Sequence, residues 1–226
     1  MQFLKSSLGR KYLMALTGLA LVLFLISHLA ANLLVFAGPD AFNAYGHGLR
    51  QYPAFLLVAR VGLAVVFLVH IITGISLRLE NRRARPVSYA ANTTVVASLA
   101  SRTMIHTGLL ALAFLLFHLA HYTLFMVDAG YADLRDSLGR HDTYTMVTTA
   151  FAQPLVAGSY ILAMIVLGFH LTHGVPSLFQ SLGLSTSTVW PTIEKVGRAV
   201  AVVLVLGFLS IPAAIWLQLI PGRGGY

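Results

Sequence analysis

Cysteine is absent from the chain, and acidic residues are scarce, with 7 Asp and Glu against 15 Lys and Arg. Without thiolates the chain cannot hold an iron–sulfur cluster through cysteine or form a disulfide. Charged residues make up only 10% of the sequence, whereas hydrophobic residues make up 58% and the mean hydropathy is +0.80. A soluble domain of this size cannot bury so much apolar surface. These shortages predict an all-α integral membrane protein with a single membrane domain over residues 1–226.

The basic residues give a net charge of +8, a balance that is also typical of nucleic-acid-binding proteins. Here they flank apolar runs, so the positive-inside rule explains them and we expect no nucleic-acid partner. The amino terminus, loop 80–102 and loop 180–198 should therefore be cytoplasmic, which leaves the carboxyl terminus outside. The basic residues of that side, including a helix end, are Lys5, Arg10, Lys11, Arg78, Arg82, Arg83, Arg85, Arg102, Lys195 and Arg198. The opposite side carries Arg50, Arg135, Arg140, Arg223, Asp40, Asp128, Asp133, Asp136 and Asp142.

Five apolar runs reach the length of about 20 residues that a helix needs to cross a bilayer. These runs, which we expect to be transmembrane helices, cover roughly residues 12–36, 54–79, 103–127, 154–179 and 196–220. Pro53 and Pro154 mark the starts of the second and fourth helices, because proline is tolerated in a first helical turn. Gly38-Pro39 and Pro221-Gly222 mark helix ends.

The first run follows a short basic stretch, a pattern that secretory signal peptides also show. The run is much longer than a signal core, and it contains the polar residues His28 and Asn32. We therefore expect it to remain in the mature protein as a transmembrane helix.

Histidines recur inside the first four runs, where a polar ring in hydrocarbon needs a partner. Ser27-His28-Leu29-Ala30 in the first run is echoed by Phe117-His118-Leu119-Ala120 in the third. Val69-His70 and Phe169-His170 stand in the second and fourth runs. Any one of these histidines could simply be hydrogen-bonded to a neighbouring helix, but the recurrence favours a common role.

The depths of the four histidines indicate that role. His28 lies 16 residues beyond the inner end of its run and His118 about 15, which puts both about 23 Å from the inner face. His70 and His170 each lie nine residues before an inner end, about 14 Å deep. Two histidines per level, with levels about 10 Å apart, predict two bis-histidine haem sites.

Glycines accompany the outer-level histidines at a matched distance. Gly18, in Thr17-Gly18, precedes His28 by ten residues, and Gly108, in Thr107-Gly108, precedes His118 by ten. Ten residues span about 15 Å, so these glycines should lie near the inner histidine level. We expect them to let the inner porphyrin lie against the helix backbone, although small residues also serve ordinary helix packing in membranes.

A second pair of glycines accompanies the inner-level histidines. Gly74 follows His70 by four residues, and Gly174 follows His170 by four. Helices one and two, and helices three and four, therefore look like two copies of one antiparallel unit in a four-helix bundle. The fifth helix has no histidine and is expected to pack outside that bundle.

Other histidines are alternatives or have other predicted roles. His121 and His173 lie three residues from the favoured ligands and could compete for an iron. We favour His118 and His170, because their depths match their partners better. His141 lies in the acidic outer loop and is expected to be solvated.

The most specific pattern is Ser27-His28-Leu29-Ala30-Ala31-Asn32, then Ala41-Phe42-Asn43 with His47, His70 with Gly74, Phe117-His118 and Phe169-His170. With it, nearly the whole chain resembles the five-helix dihaem cytochrome b anchor subunit of succinate:quinone oxidoreductases, the succinate dehydrogenases and fumarate reductases. In that family, ligands from helices one and three hold the distal haem, and ligands from helices two and four hold the proximal haem. The histidine depths give the same pairing.

The resemblance implies a subunit that anchors respiratory complex II, the succinate dehydrogenase of the tricarboxylic acid cycle, in a bacterial-type cytoplasmic membrane. It implies two haem b groups and electron transport between an iron–sulfur subunit and a quinone, either menaquinone or ubiquinone. A flavoprotein subunit and the iron–sulfur subunit would dock on the cytoplasmic face. The chain has no dinucleotide fingerprint and no cysteine, so the chemistry on succinate or fumarate would belong to those partners.

Quinone is predicted to bind near the outer haem, beside Asn32, Asn43 and His47. A quinol must release protons, and histidine titrates in a suitable range. His47 could equally be a solvated loop residue, and the resemblance also allows a quinone site near the inner haem.

Arg60 lies six residues past the start of the second run, about 9 Å below its outer end and near the level of His28. Its guanidinium cannot lose its charge, so it must meet an anion or reach the headgroups. No acidic residue lies within an apolar run. A propionate of the outer haem is therefore its expected partner.

Two other functions fit the same residues. The chain could be the dihaem, quinone-linked cytochrome b of a different respiratory enzyme. It could also be a transporter subunit whose histidines line a proton path, a hypothesis that the lack of intramembrane carboxylates weakens.

Overall fold

The computed structural model describes residues 6–83 and 99–220, with side chains from 102 onward in the second range. Lys5, Arg85 and Arg223, which contributed to the predicted orientation, lie outside the described residues, as does the helix-end signal Pro221-Gly222. The described residues form seven α-helices, two short 3-10 helices and no strand. The helices are α1 (Ser7–Asn32), α2 (Pro39–Arg50), α3 (Pro53–Arg83), α4 (Leu99–Tyr122), α5 (Thr143–Ala152), α6 (Pro154–Ser181) and α7 (Trp190–Trp216).

Five of these helices are long and apolar enough to cross a membrane, which confirms the predicted all-α membrane fold. The spans are Ser7–Ala37, Pro53–Arg83, Arg102–Tyr122, Pro154–Ser181 and Trp190–Trp216. The first includes the 3-10 turn Leu33–Ala37 that continues α1. Hereafter the inner end of the bundle is the end with Ser7 and Arg83, and the outer end is the end with Asn32 and Pro53.

Local signals explain where the helices begin. The Ser6 side chain caps α1 by accepting a hydrogen bond from the Gly9 amide at 3.0 Å. Pro53 and Pro154 are the first residues of α3 and α6, as predicted.

Several helix boundaries differ from the prediction, most clearly in α4 and α7. Residues 123–127 do not continue α4, and Phe125 adopts a left-handed conformation with φ 52°, which is incompatible with a helix. The last helix begins at Trp190, with a proline in its first turn, rather than at residue 196, and it ends at Trp216 rather than at residue 220. Apolar run length and Gly-Pro signals set the predicted ends, whereas backbone geometry sets the real ones.

Two short helices at the outer end were predicted as loops. Helix α2 starts after Gly38, whose φ of 98° suits glycine, and has proline as its first residue. Helix α5 is capped by the Asp142 carboxylate, which accepts from the Thr145 amide at 3.0 Å. Both helices are too short to span a membrane, so a search for long apolar runs cannot find them.

The four histidine-bearing helices form a ring. Helix α1 packs against α3 and α6, and α4 packs against α6. The ring closes through a short contact between α3 and α4, and Thr73 is the buried residue of α3. This order places α1 diagonally opposite α4, and α3 diagonally opposite α6, so side chains from opposite helices can meet at the bundle axis.

Helix α7 packs outside this ring against α6 and α1, as expected. Close approach is possible because glycines face the neighbouring helices. A Cβ atom at Gly207 would lie 2.6 Å from Leu29 Cδ2, and one at Gly197 would lie 2.7 Å from Pro176 Cγ. Phe208, next to the first of these glycines, has its ring centre 5.9 Å from that of His28.

Candidate functional site

Four histidine side chains meet in two pairs across the diagonals of the ring. The imidazole centres of His28 on α1 and His118 on α4 are 5.9 Å apart, with the rings nearly perpendicular at 88°. Those of His70 on α3 and His170 on α6 are 6.5 Å apart, at 70°. The structure thus brings together the same two pairs that the depth argument predicts.

This spacing suits one metal ion between each pair of rings. A metal–imidazole bond is about 2.0 Å long and the ring centre lies about 1.1 Å behind the nitrogen, so two axial imidazoles have centres about 6 Å apart. No group of three or more possible metal-binding side chains occurs in residues 6–83 and 102–220. Two imidazoles brought this close from opposite helices of a bundle core fit an iron whose other ligands would come from a porphyrin.

The helix register sets the distance between the two levels. A Cβ atom at Gly18 would lie 3.5 Å from His70 Cε1, and one at Gly108 would lie 3.2 Å from His170 Cε1. These glycines lie ten residues before the outer-level histidines of the same helices, so the levels are about 15 Å apart rather than about 10 Å. An added Cβ would therefore touch the inner imidazole at Gly18 and press on it at Gly108, so the glycines leave room for the rings themselves.

Methionines occupy the space beside the second pair of predicted glycines. A Cβ atom at Gly74 would lie 3.3 Å from Met14 Cε, and one at Gly174 would lie 3.9 Å from Met104 Cε. Each methionine lies three residues before the threonine of a Thr-Gly pair. The unit α1–α3 and the unit α4–α6 therefore repeat the same contacts, with a methionine that the sequence argument did not include.

Both inner-level histidines face a threonine hydroxyl. Thr17 Oγ1 lies 3.2 Å from His70 Nδ1, and Thr107 Oγ1 lies 3.4 Å from His170 Nδ1. The threonines are buried, at 8% and 9% exposure. Their Thr-Gly sequence was noted for its glycine only, and its hydroxyl at the same level was overlooked.

The outer-level pair has different neighbours. Tyr160 on α6 places its hydroxyl 3.3 Å from His118 Nδ1 and 3.2 Å from His121 Nδ1. Asn32 donates to the His28 carbonyl at 2.8 Å, and its amide nitrogen lies 3.4 Å from the His28 ring nitrogens. Tyr160 was missed because a single tyrosine in an apolar run carries no repeat pattern.

The alternative ligands lie elsewhere. His121 is 1% exposed and stacks on Tyr122 at 4.1 Å, and it also packs against Tyr131. His173 Nε2 lies 3.0 Å from the Ser177 hydroxyl one turn along α6. Neither contact places these histidines in a facing pair.

The three residues predicted to bind quinone have different hydrogen-bond partners. His47 is exposed and its Nε2 lies 2.8 Å from Gln51 Nε2, whereas Asn32 contacts His28. Asn43 is 1% exposed and donates to the carboxylates of Asp142 at 2.9 Å and Asp136 at 3.3 Å.

The Asn43 side-chain oxygen accepts a hydrogen bond from the Tyr144 amide at 2.9 Å. Its two donors and its carbonyl are therefore used inside the protein, where they join α2 to the segment before α5. This geometry assigns Asn43 to the structure of the outer end.

Ionic contacts hold the same segment. Arg140 pairs with Asp136 at 2.7 Å and with Asp40 of α2 at 2.8 Å. Burial raises the pKa of Asp136, but hydrogen bonds from Arg140 and Leu138 outweigh it and hold that pKa below its ordinary value. Hydrogen bonds to Asp40 and Asp136 raise the pKa of Arg140, so the cluster is charged at neutral pH.

Two further predictions concern the outer end. Arg60 is exposed, and no carboxylate of the described residues forms an ion pair with it. His141 is only partly exposed, and its Nε2 is buried with no hydrogen-bond partner in the described residues, so the expectation of a solvated ring is wrong. Its ring lies near that of Phe125, with ring centres 5.8 Å apart.

Comparisons with known proteins give one weak relative. No family model matches the chain, and no solved structure matches it. The chain is similar to the succinate dehydrogenase cytochrome b558 subunit of Bacillus subtilis (strain 168), with 22% identity over 183 residues that cover 80% of this chain and 81% of that protein.

Proposed function

We propose that this chain is the dihaem cytochrome b subunit that anchors a succinate:quinone oxidoreductase in a bacterial cytoplasmic membrane. The observation that carries the proposal is the presence of two imidazole pairs, one at each level, with ring centres 5.9 and 6.5 Å apart. The similarity to a succinate dehydrogenase cytochrome b558 subunit supports the same role. The five membrane-spanning helices fit an anchor.

The ligand assignment follows from the pairs. His28 and His118 would hold the outer haem b, and His70 and His170 the inner one. Haem b with both axial positions filled supplies one-electron transfer. The chain's part is to fix the four imidazoles, to shield them from water, and to keep the two levels about 15 Å apart.

The basic residues at the inner end of the bundle indicate where the soluble partner subunits would dock. Arg10, Lys11, Arg82, Arg83 and Arg102 gather there, and the positive-inside rule makes that end cytoplasmic. We propose that the iron–sulfur subunit docks there, with the flavoprotein subunit beyond it. The inner haem would then face the iron–sulfur centre.

We place quinone at the outer end, beside the level of His28 and His118. Asn32 lies next to His28, and His47 lies on the exposed side of α2, so these two remain the proposed contacts. A structure with bound menaquinone or ubiquinone tests this. Quinone bound only beside the inner pair would overturn the placement.

The experiment that tests the function combines haem content with subunit identity. The purified complex should carry two haem b groups per chain, together with a flavoprotein and an iron–sulfur subunit. His28→Ala should remove the outer haem and leave the inner haem spectrum largely intact. His47→Ala, at an exposed histidine, serves as the control and should retain both haems.

Each alternative gives a distinct result. Haem-free protein would support the transporter hypothesis and end the proposal. Two haems with other soluble subunits would identify the cytochrome b of a different respiratory enzyme. Loss of neither haem in His28→Ala would contradict the ligand pairing.

A further inference from the structure

The inner histidine pair has a neighbour that the ligand assignment leaves unexplained. Thr17 on α1 and Thr107 on α4 place their hydroxyls 3.2 and 3.4 Å from the Nδ1 atoms of His70 and His170. Each contact joins two neighbouring helices of the ring. A Cβ atom on the glycine after each threonine would contact the Cε1 atom of the same imidazole, so the Thr-Gly pair lies beside one edge of the ring.

The direction of the hydrogen bond follows from the other contacts of Thr17. Its hydroxyl lies 2.8 Å from the Leu13 carbonyl and 3.2 Å from the Met14 carbonyl. A carbonyl oxygen only accepts, so the single hydroxyl hydrogen is directed to the backbone of α1. The Thr17 oxygen therefore remains as an acceptor, and the imidazole of His70 must donate from Nδ1.

The second threonine repeats this arrangement. Thr107 Oγ1 lies 3.2 Å from the Thr103 carbonyl and 3.1 Å from the Met104 carbonyl. His170 consequently donates from Nδ1 as well. When Nδ1 carries the hydrogen, Nε2 keeps the lone pair, which is the nitrogen that a metal needs.

We propose that Thr17 and Thr107 are positioning residues for the inner haem, and this inference rests on the proposed function. Each accepts the Nδ1 hydrogen of an inner histidine, which fixes the tautomer and the rotation of the imidazole and leaves Nε2 free for iron. A hydrogen bond of this kind also makes the ligand more basic, which favours ferric over ferrous iron.

The two threonines are expected to differ in how strongly they affect the inner haem. The Thr17 contact is the shorter of the two, so Thr17 should matter more.

The outer pair provides an internal reference. His118 faces a phenol that it shares with His121, and His28 faces an amide on its own helix. Neither outer histidine contacts a threonine in the described residues. Changes at Thr17 should therefore alter the inner haem alone.

The test uses the purified complex with its haems and the isosteric variant Thr17→Val. We expect a higher midpoint potential for the inner haem in a redox titration, and transfer of that haem to apomyoglobin with affinity weakened roughly tenfold to a hundredfold. The outer haem should keep its potential. Thr107→Val should give a shift of the same sign that is smaller.

Two further variants separate positioning from packing. Thr17→Ser keeps the hydroxyl and should stay near the unaltered protein. Thr148→Val removes a buried hydroxyl that bonds the Tyr144 carbonyl at 2.9 Å, away from both pairs, and should change neither potential.

The inference is overturned if Thr17→Val behaves like Thr148→Val, or if Thr17→Ser is as damaging as Thr17→Val. If Thr17→Val does not assemble, the comparison of Thr107→Val with Thr107→Ser decides the point in the same way. Absence of haem from the unaltered complex would refute the proposed function itself, which is a separate measurement.

Discussion

Arg60 is a residue through which the proposed outer haem can be tested, because its charge would affect the midpoint potential of that haem. Burial, and then the nearby charges of Arg60 and Arg135, hold the pKa of Arg50 below its ordinary value. Basic groups thus lie close together at the outer end. A carboxylate placed among them would relieve their repulsion, which supports the proposed contact between Arg60 and a propionate of the outer haem.

We expect Arg60→Leu to lower the midpoint potential of the outer haem, because a nearby positive charge favours the reduced iron. A redox titration of the purified complex measures this. Arg78→Leu removes an exposed charge from the inner end of the same helix and should leave the outer potential unchanged. An unchanged potential in Arg60→Leu would show that the guanidinium only reaches the headgroups.

His141 is expected to make the stability of the protein depend on pH. Burial, followed by the charges of Arg50 and Arg135, lowers its pKa, and Asp142 opposes them. The unfolded chain, with an ordinary histidine pKa of 6.5, then binds more protons than the folded chain as pH falls. The stability that the neutral ring gives is present above about pH 6.5 and is lost as pH falls from there through the lowered value.

Thermal unfolding of the complex between pH 8 and about pH 5 tests this. The slope from one proton cannot exceed about 1.4 kcal/mol per pH unit. His141→Gln should flatten the loss of stability below pH 6.5. An identical slope in both proteins would show that His141 does not couple folding to pH.

At the scale of elements, the outer end is built by helices that the apolar runs did not reveal. Helix α2 is joined to the segment before α5 by Asn43, which has three partners, and by the ion pairs of Arg140. Tyr131, Tyr144 and Phe151 fill a core beneath them. The same core includes Tyr160, whose hydroxyl lies 3.3 Å from Nδ1 of the outer-level His118.

Asn43→Ala should therefore lower stability rather than alter quinone binding. The change leaves the buried Asp142 carboxylate and the Tyr144 amide without this partner, and a buried polar group deprived of its bond costs about 1–3 kcal/mol. Thermal unfolding of the complex measures the loss. His47→Ala, at an exposed position of the same helix, should cost much less. A stable Asn43→Ala protein with weakened quinone affinity would contradict this and indicate that Asn43 binds quinone.

At the scale of the whole molecule, the chain contains one antiparallel unit twice. In each copy a Met-x-x-Thr-Gly helix packs near a His-x-x-x-Gly helix, and the threonine faces the histidine. The two copies are arranged so that each histidine pair combines one imidazole from the first copy with one from the second. Neither copy alone can supply both imidazoles of a pair, so the proposed haem binding would require assembly of the full bundle.

The sequence by itself determined the membrane class, the five apolar helices and the matching depths of the histidines. These follow from one-dimensional quantities, namely hydropathy, run length and the rise of about 1.5 Å per residue. The starts of α3 and α6 also follow, because Pro53 and Pro154 act locally.

Only the tertiary structure decided which side chains meet. The hydroxyls of Thr17 and Tyr160 approach imidazoles on other helices, and Asn43 is enclosed by a segment about a hundred residues away. Such contacts depend on the rotation of each helix about its axis and on the order of helices in the ring. Hydropathy and rise do not contain that information, because every rotation of a largely apolar helix satisfies them equally well.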